Sequence, residues 1–570
     1  MAGGILASLA GVFGVGLVLG LLVEPGQVDR LSRFQARLLQ SRVGQLARPA
    51  RAAPISWPSY GADLSSTRYS PAGQVDRTNV QSLQVAWIHP TDERTDRQRT
   101  TPIVLDGVLY YTAGATTAIA VDAASGRERW RHRHTPVQQP RSCCLMSSRG
   151  VAADTGQVYM ATIDARLIAL DRATGARRWE RAVANPDSGY ALTMAPLVVG
   201  DLVVVGVSGG EFGIRGFVDA YDARTGERRW RFWTIPSPDE GGWWGGWVTT
   251  TPDGDRLDRD IARERTDSAR YAESWRTGGG GAWMTPSYDS TLRTLYIGIG
   301  NPAPMYNGRT RPGDNLYTAA IVALDVDRGT RKWHYQISPH DEADRDMAAP
   351  IVLFDWRRGD STVPALAQAN KTGWVYVLDR RTGRRLLRSE ALIPQHNMFV
   401  RPAGEGKLMY PGPDGGHQSG APAYSPRTGL LYALMRHAPA VVQSREDTFR
   451  LGYPYEGGRK VGQEGRPGGK DPWNTMAAVD LRSGKVRWQR RELVPVAHAA
   501  GGVLATAGDL VFYAVHDELR ALDAETGRTL WRFRCDGRLY APAISYAVGG
   551  RQFIAVASRT TLFAFALPSR

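Results

Sequence analysis

The chain has 570 residues, 42% of them hydrophobic, enough for a large core but too many for one ordinary compact domain unless the fold grows by repetition. Its formal net charge of +15 admits an anionic surface or an acidic ligand, but the arginines are spread along the whole chain without a nucleic-acid module, so nucleic acid is set aside as a partner. The three cysteines, Cys143, Cys144 and Cys535, include no zinc-ligand spacing and no Cys-x-x-Cys-His haem attachment site, and Cys535 reads as a small buried apolar residue.

The first element is an uncharged apolar run, Gly4-Ile-Leu-Ala through Leu21-Leu-Val23, about the length that spans a bilayer as a helix. No small-x-small cleavage site follows it before Ala50-Arg51-Ala52, so it reads as an uncleaved membrane anchor (1–25) followed by a basic stalk (26–55). The Arg-rich flank alone would face the cytoplasm. The adjacent cysteines argue instead for oxidising conditions, so the expectation is an inner-membrane anchor with residues 56–570 in the periplasm.

From there one phrase recurs: an aspartate, a small residue or Thr, usually a Gly, then a Trp eight positions after the aspartate. It runs Asp122 to Trp130, Asp171 to Trp179, Asp222 to Trp230, Asp325 to Trp333, Asp480 to Trp488 and Asp523 to Trp531. A seventh copy, Asp379-Arg-Arg-Thr-Gly383, has Leu387 in place of the Trp, and Trp87 marks an eighth strand end without the turn. Asp and Thr-Gly make a tight turn; the preceding residues alternate apolar and polar as strands do. The Trp is placed to wedge between neighbouring sheets. Most copies lie 43 to 54 residues apart, a spacing suited to a four-stranded blade. The prediction is an all-β, eight-bladed propeller of four-stranded antiparallel blades. Two gaps of double length hold insertions, Pro236 to Gly281 and about Pro394 to Trp473; the second is rich in Gly and Pro and is expected to be irregular loop.

The opening Trp57-Pro-Ser-Tyr-Gly-Ala-Asp63 through Arg68-Tyr-Ser-Pro71, with Asn79-Val80 to Trp87, resembles the first blade of the methanol/ethanol family of PQQ-dependent (quinoprotein) alcohol dehydrogenases. The likeness continues to about residue 563. It implies PQQ at the centre of the ring with calcium or a lanthanide ion beside it. Cys143 and Cys144 match the family's neighbouring cysteines, which close a strained ring lying flat against the quinone. Arg149 matches an arginine that contacts the cofactor, and a guanidinium suits a tricarboxylate because it binds carboxylates in a fork. Thr193, Ser208, Gly209 and Gly210 match the cofactor cradle, and Trp283 the floor on which the quinone stacks. Glu211 and Asn301 match metal ligands. Asp344 matches both a ligand and the catalytic base, and Asp346 the additional carboxylate of lanthanide-using members. Lys371 matches the cation that stabilises the reduced quinone's oxygen.

Several positions depart from that pattern. Arg99 replaces a glutamate near the cofactor and remains able to hold a carboxylate. Ala343 stands for a Trp just before the base, Gln418-Ser419 for Asn-Trp, Ala500 for another Trp, and Gly281 lacks a hydroxyl. Loss of central aromatics is expected to open cavities. That suits either a dehydrogenase for an alcohol bulkier than methanol, or a propeller that has given up catalysis and serves as an envelope scaffold. As an enzyme, the chain would pass electrons to a separate acceptor, a cytochrome or membrane quinone.

Overall fold

The computed structural model describes residues 54–569 apart from 94, 96, 138–146, 348, 418–419, 462–472 and 493–499. The apolar run, the stalk as far as residue 53, Cys143, Cys144, Gln418 and Ser419 therefore lie outside the described residues. Among the described residues no helix is long and apolar enough to cross a membrane.

Eight antiparallel sheets form the ring. In chain order they span 103–133, 151–182, 197–233, 287–336, 352–388, 423–492 and 500–534, and the eighth joins Gln84–Pro90 to Ile544–Val548, Arg551–Ala557 and Thr561–Ala566. We number them blades 1 to 8. Pairing of Gln84–Pro90 with Thr561–Ala566 closes the circle across the whole chain. First strands such as Ile103–Leu105 and Ser287–Asp289 are mostly buried, while last strands such as Glu128–Arg133 and Arg177–Ala182 bury their Trp and leave most other residues partly or fully exposed.

The rim obeys the repeat. In blade 3 the Asp222 carboxylate accepts from the amides of Arg224 and Thr225, and Gly226 closes the turn at φ 71°. A Cβ on Gly226 would stand 2.7 Å from the Trp179 ring of blade 2, so only glycine lets that indole seat on the next blade's turn. Trp179 Nε1 then donates to the Ala223 carbonyl at 3.0 Å. The same docking recurs for Trp87 on Gly126, Trp130 on Gly175, Trp230 on Gly329, Trp333 on Gly383 and Trp488 on Gly527, and Trp531 donates to Leu83 O. Leu387 fills the indole's place against Gly484, and the missing donor is supplied from elsewhere: Trp356 Nε1 donates to Leu481 O at 2.8 Å.

The segment 57–70 runs beneath the hub and ties blades together. Trp57 exchanges hydrogen bonds with Val104 of blade 1, Leu64 O accepts from Tyr288 of blade 4, Ser65 O from Leu353 of blade 5 and Thr67 O from Tyr424 of blade 6. Tyr69 and Ser70 pair with the first strand of blade 7. Arg68, wholly buried, donates to the carbonyls of Val503, Tyr60 and Ala543. Its charge is satisfied by carbonyl oxygens and by the rings of Trp57 and Tyr60.

The insertions differ from a simple reading of their composition. The first carries one helix, Ile261–Asp267, anchored where Arg259 pairs with both Glu264 and Asp314 at 2.6 Å. The second is not irregular throughout. It contains two strands of blade 6, Ala423–Ser425 and Leu430–His437, and a small three-stranded sheet, Lys407–Met409, Ala440–Ser444 and Gly458–Val461. Pairing across long separations built that sheet, and no local periodicity announced it.

Candidate active site at the hub

Two groups of side chains meet at the centre of the ring. In the first, Arg149 is buried and donates through Nη1 to the Thr193 carbonyl at 3.0 Å and to Thr193 Oγ1 at 2.8 Å. Thr193 Oγ1 in turn lies 2.7 Å from Ser208 Oγ. The Arg149 guanidinium stands 4.9 Å from the centre of the Trp283 ring, and Trp283 packs with Tyr60, Ala195, Met284 and Ala421. Burial raises the Tyr60 phenol, while Arg68, Arg149 and Arg99 pull it back. Arg99 therefore lies in the same electrostatic neighbourhood as Arg149. Beside this group, Gly209 opens a short 3-10 turn, Gly210–Phe212, in the left-handed region, and the turn carries Glu211.

In the second group, Lys371 Nζ stands 2.9 Å from Asp344 Oδ2 and 2.9 Å from Asp346 Oδ2. Burial raises the Asp344 carboxyl well above its usual range and Asp346 adds to this, against the pull of Lys371. Burial disfavours the Lys371 ammonium, but the two carboxylates more than reverse that and hold it charged. The Asn301 amide N–H donates to Asp346 Oδ1 at 2.8 Å, and its side-chain Nδ2 donates to Pro302 O, leaving Oδ1 as an available acceptor. Asp344 sits in the left-handed region at φ 56°. Its loop is pinned by Asp341, whose carboxylate accepts from the Ala343 and Arg345 amides and whose carbonyl accepts from buried Arg311.

Gly300 joins the groups. A Cβ there would lie 2.7 Å from Asp346 Oδ1 and 3.3 Å from Trp283 Nε1, so the absence of a side chain lets the carboxylate and the indole edge come together. Gly210 abuts Asn301 from the other side, 3.7 Å from its side-chain oxygen if given a Cβ. The structure thus brings Arg149, Thr193, Ser208 and Trp283 together in one group, with Arg99 near their neighbour Tyr60, and Asn301, Asp344, Asp346 and Lys371 in the other, with Gly209, Gly210 and the turn that carries Glu211 beside Asn301.

Among the described residues no three acidic, histidine or cysteine side chains form a metal cluster; Asp344 and Asp346 both meet the Lys371 ammonium, with the Asn301 amide on Asp346. On one side Ala343 lines a pocket with Leu257, Asp341, Glu342 and Met398. It is 5% exposed and packed against Met305, Tyr306, Met409 and Val442, the last two delivered by the small sheet of the second insertion. Sequence reasoning also missed Tyr60, although it lies inside the opening motif, and Arg345, which sits between the two aspartates that drew attention. Ala500 begins the first strand of blade 7.

An all-β ring of eight four-stranded blades, with a buried arginine, an aromatic floor and a lysine-bridged pair of carboxylates at its hub, defines a quinoprotein-type propeller. Residues 57–398 and 389–554 match the PQQ family described as "Glucose/ethanol/alcohol dehydrogenase, beta-propeller domain", and the chain belongs to that family of oxidoreductases. The quinohemoprotein alcohol dehydrogenase ADH IIB of Pseudomonas putida is 34% identical over 521 residues, 88% of this chain and 73% of that protein. The crystal structure of quinohemoprotein alcohol dehydrogenase from Comamonas testosteroni superposes with a TM-score of 0.78 at 28% identity, covering 94% of this chain and 85% of that one. A europium-containing methanol dehydrogenase superposes with a TM-score of 0.77 at 27% identity, covering 94% of this chain and 100% of that one.

Proposed function

We propose that the chain is a PQQ- and metal-dependent dehydrogenase that oxidises a primary alcohol, a polyol or an aldehyde. The observation that carries this reading is the junction at Gly300, where Asp346, joined to Asp344 through Lys371, comes up to the edge of the Trp283 floor. When bound, PQQ supplies the two-electron acceptor for the alcohol carbon. Arg149, Thr193, Ser208 and Arg99 offer the cation and hydroxyl donors that a tricarboxylate needs, and Trp283 offers a flat apolar face. Cys143 and Cys144, joined as a disulfide, would cover the opposite face.

Asp344 takes the substrate hydroxyl proton at its carboxylate, and its burial gives the basicity that step requires. Glu211, Asn301, Asp344 and Asp346 would hold the metal. Four oxygen donors, three of them carboxylates, suit a hard cation, calcium or a lanthanide. Lys371 holds the two aspartates in register and presents a cation to the reacting edge. Electrons pass to a separate acceptor, a cytochrome or membrane quinone. The apolar run Gly4 to Val23 anchors the chain in the inner membrane with the propeller in the periplasm.

The test loads the purified propeller with PQQ and either calcium or a lanthanide and follows dye-linked oxidation across a panel of alcohols. Turnover is expected, and Asp344→Ala should reduce kcat by about 10³-fold with the thermal midpoint held. Bound PQQ without turnover on any alcohol would leave the scaffold reading, and undiminished turnover by the variant would remove Asp344 as the base.

A further inference from the structure

Two buried guanidinium groups, of Arg345 beside Asp344 and of Arg436 near Asp414, keep unsatisfied donors among the described residues. Arg345 is fully buried; its Nη1 donates to Pro411 O at 2.7 Å, but neither Nε nor Nη2 has a hydrogen-bond partner. Arg436 is 7% exposed, and both its Nη1 and its Nη2 are unpartnered. Buried donors are almost always satisfied, and a buried cation without a hydrogen-bonded counter-charge is costly. The nearby carboxylates are engaged elsewhere: Asp344 and Asp346 on Lys371, Asp414 on Lys460 at 2.7 Å, and Asp341 on two backbone amides.

Both arginines flank one turn, Pro411 to Gly416. Arg345 holds its first carbonyl, and the Arg436 backbone pairs with Gly416. The electrostatic neighbourhood is continuous: Asp344 feels Lys371 and Lys460, Asp414 feels Lys460, Arg436 and Lys371, and Arg345 feels Asp341 and Asp344. This basic ground lies on the Tyr306 and second-insertion side of Asp344. Arg149, Thr193, Ser208 and Arg99 lie on the Trp283 side, so the cofactor's carboxylates have their own donors.

We propose that Arg345 and Arg436 form an anion subsite beside Asp344 that receives the carboxylate of a short hydroxy acid whose hydroxyl meets the base. The inference rests on the dehydrogenase reading of the hub and adds to it a substrate class. A planar fork of donors matches a carboxylate in geometry as well as charge.

The test uses the PQQ- and calcium-loaded protein with two substrates of equal length, 1-butanol and 4-hydroxybutanoate, and with butanoate as an unreactive probe. The ratio of kcat/KM for the hydroxy acid over the alcohol should exceed ~10 and fall at least ~10-fold in Arg436→Gln and in Arg345→Gln. Butanoate binding, followed by calorimetry without turnover, should be present in the parent and weakened in both variants. Should Arg345→Gln not fold, Arg436→Gln carries the test alone. Butanoate that fails to bind, or a substrate ratio unchanged in the variants, overturns the subsite. Butanoate binding that vanishes on PQQ loading also overturns it, by assigning the arginines to the cofactor's carboxylates. If PQQ itself is not taken up, the dehydrogenase reading fails instead, and that is visible in the absorbance before any substrate is added.

Discussion

The rim and the hub of this ring are built on opposite terms. At the rim a single local device recurs, an aspartate turn, a glycine and an indole that docks on the next blade. Even its one defect is mended, because Trp356 supplies at Leu481 the hydrogen bond that Leu387 cannot. At the hub nothing repeats. Each functional side chain occurs once, Asp344 sits at a positive φ, and buried donors on Arg345 and Arg436 stand unsatisfied. Stability is distributed around the circumference, while chemistry is concentrated where the packing rules are broken.

The separation predicts that the two regions fail in different ways. Trp230→Ala removes an indole that is 8% exposed and bonded to Val326 O at 2.8 Å; a loss of about 3–5 kcal/mol is expected by denaturant unfolding, with the fraction that stays folded still able to bind PQQ. Trp356→Phe keeps most of the ring's bulk but leaves Leu481 O without its donor, for about 1 kcal/mol. If that variant were as damaging as Trp230→Ala, the junction of blades 5 and 6 would depend on Trp356 for much more than the missing hydrogen bond. Arg129→Ala breaks the 2.9 Å pair with Asp122 at the rim. With the arginine side chain 46% exposed, the change should stay below ~0.5 kcal/mol in the same assay.

How much of this was legible in the sequence follows the same division. The turn, the Gly and the Trp lie within nine residues of one another, so the rim could be read from local spacing alone. The substitute at Leu387 could not, because Trp356 lies on the first strand of its blade and only the closed sheet brings it to Leu481. The second insertion was misjudged for a related reason. Its strands pair across long separations, and although Leu430–His437 follows a Thr428-Gly429 turn, the aspartate that marks the other turns is missing there. At the hub the site residues came from motif likeness, and what likeness omitted was the neighbours: Tyr60 under Trp283, Asp341 pinning the Asp344 loop, and Met409 and Val442 filling the space beside Ala343. That packing depends on a sheet no periodicity announced.

The central claim is that the hub holds a flat tricarboxylate between Trp283 and the Arg149 donors. It is tested most directly by titrating the purified propeller with PQQ in the presence of calcium and following the quinone absorbance. The account predicts saturable uptake of one PQQ per chain in the parent and a weakening of at least ~10-fold in Trp283→Ala, with the ring still folded by its thermal transition. Equal uptake by parent and variant, or none by either, would contradict it.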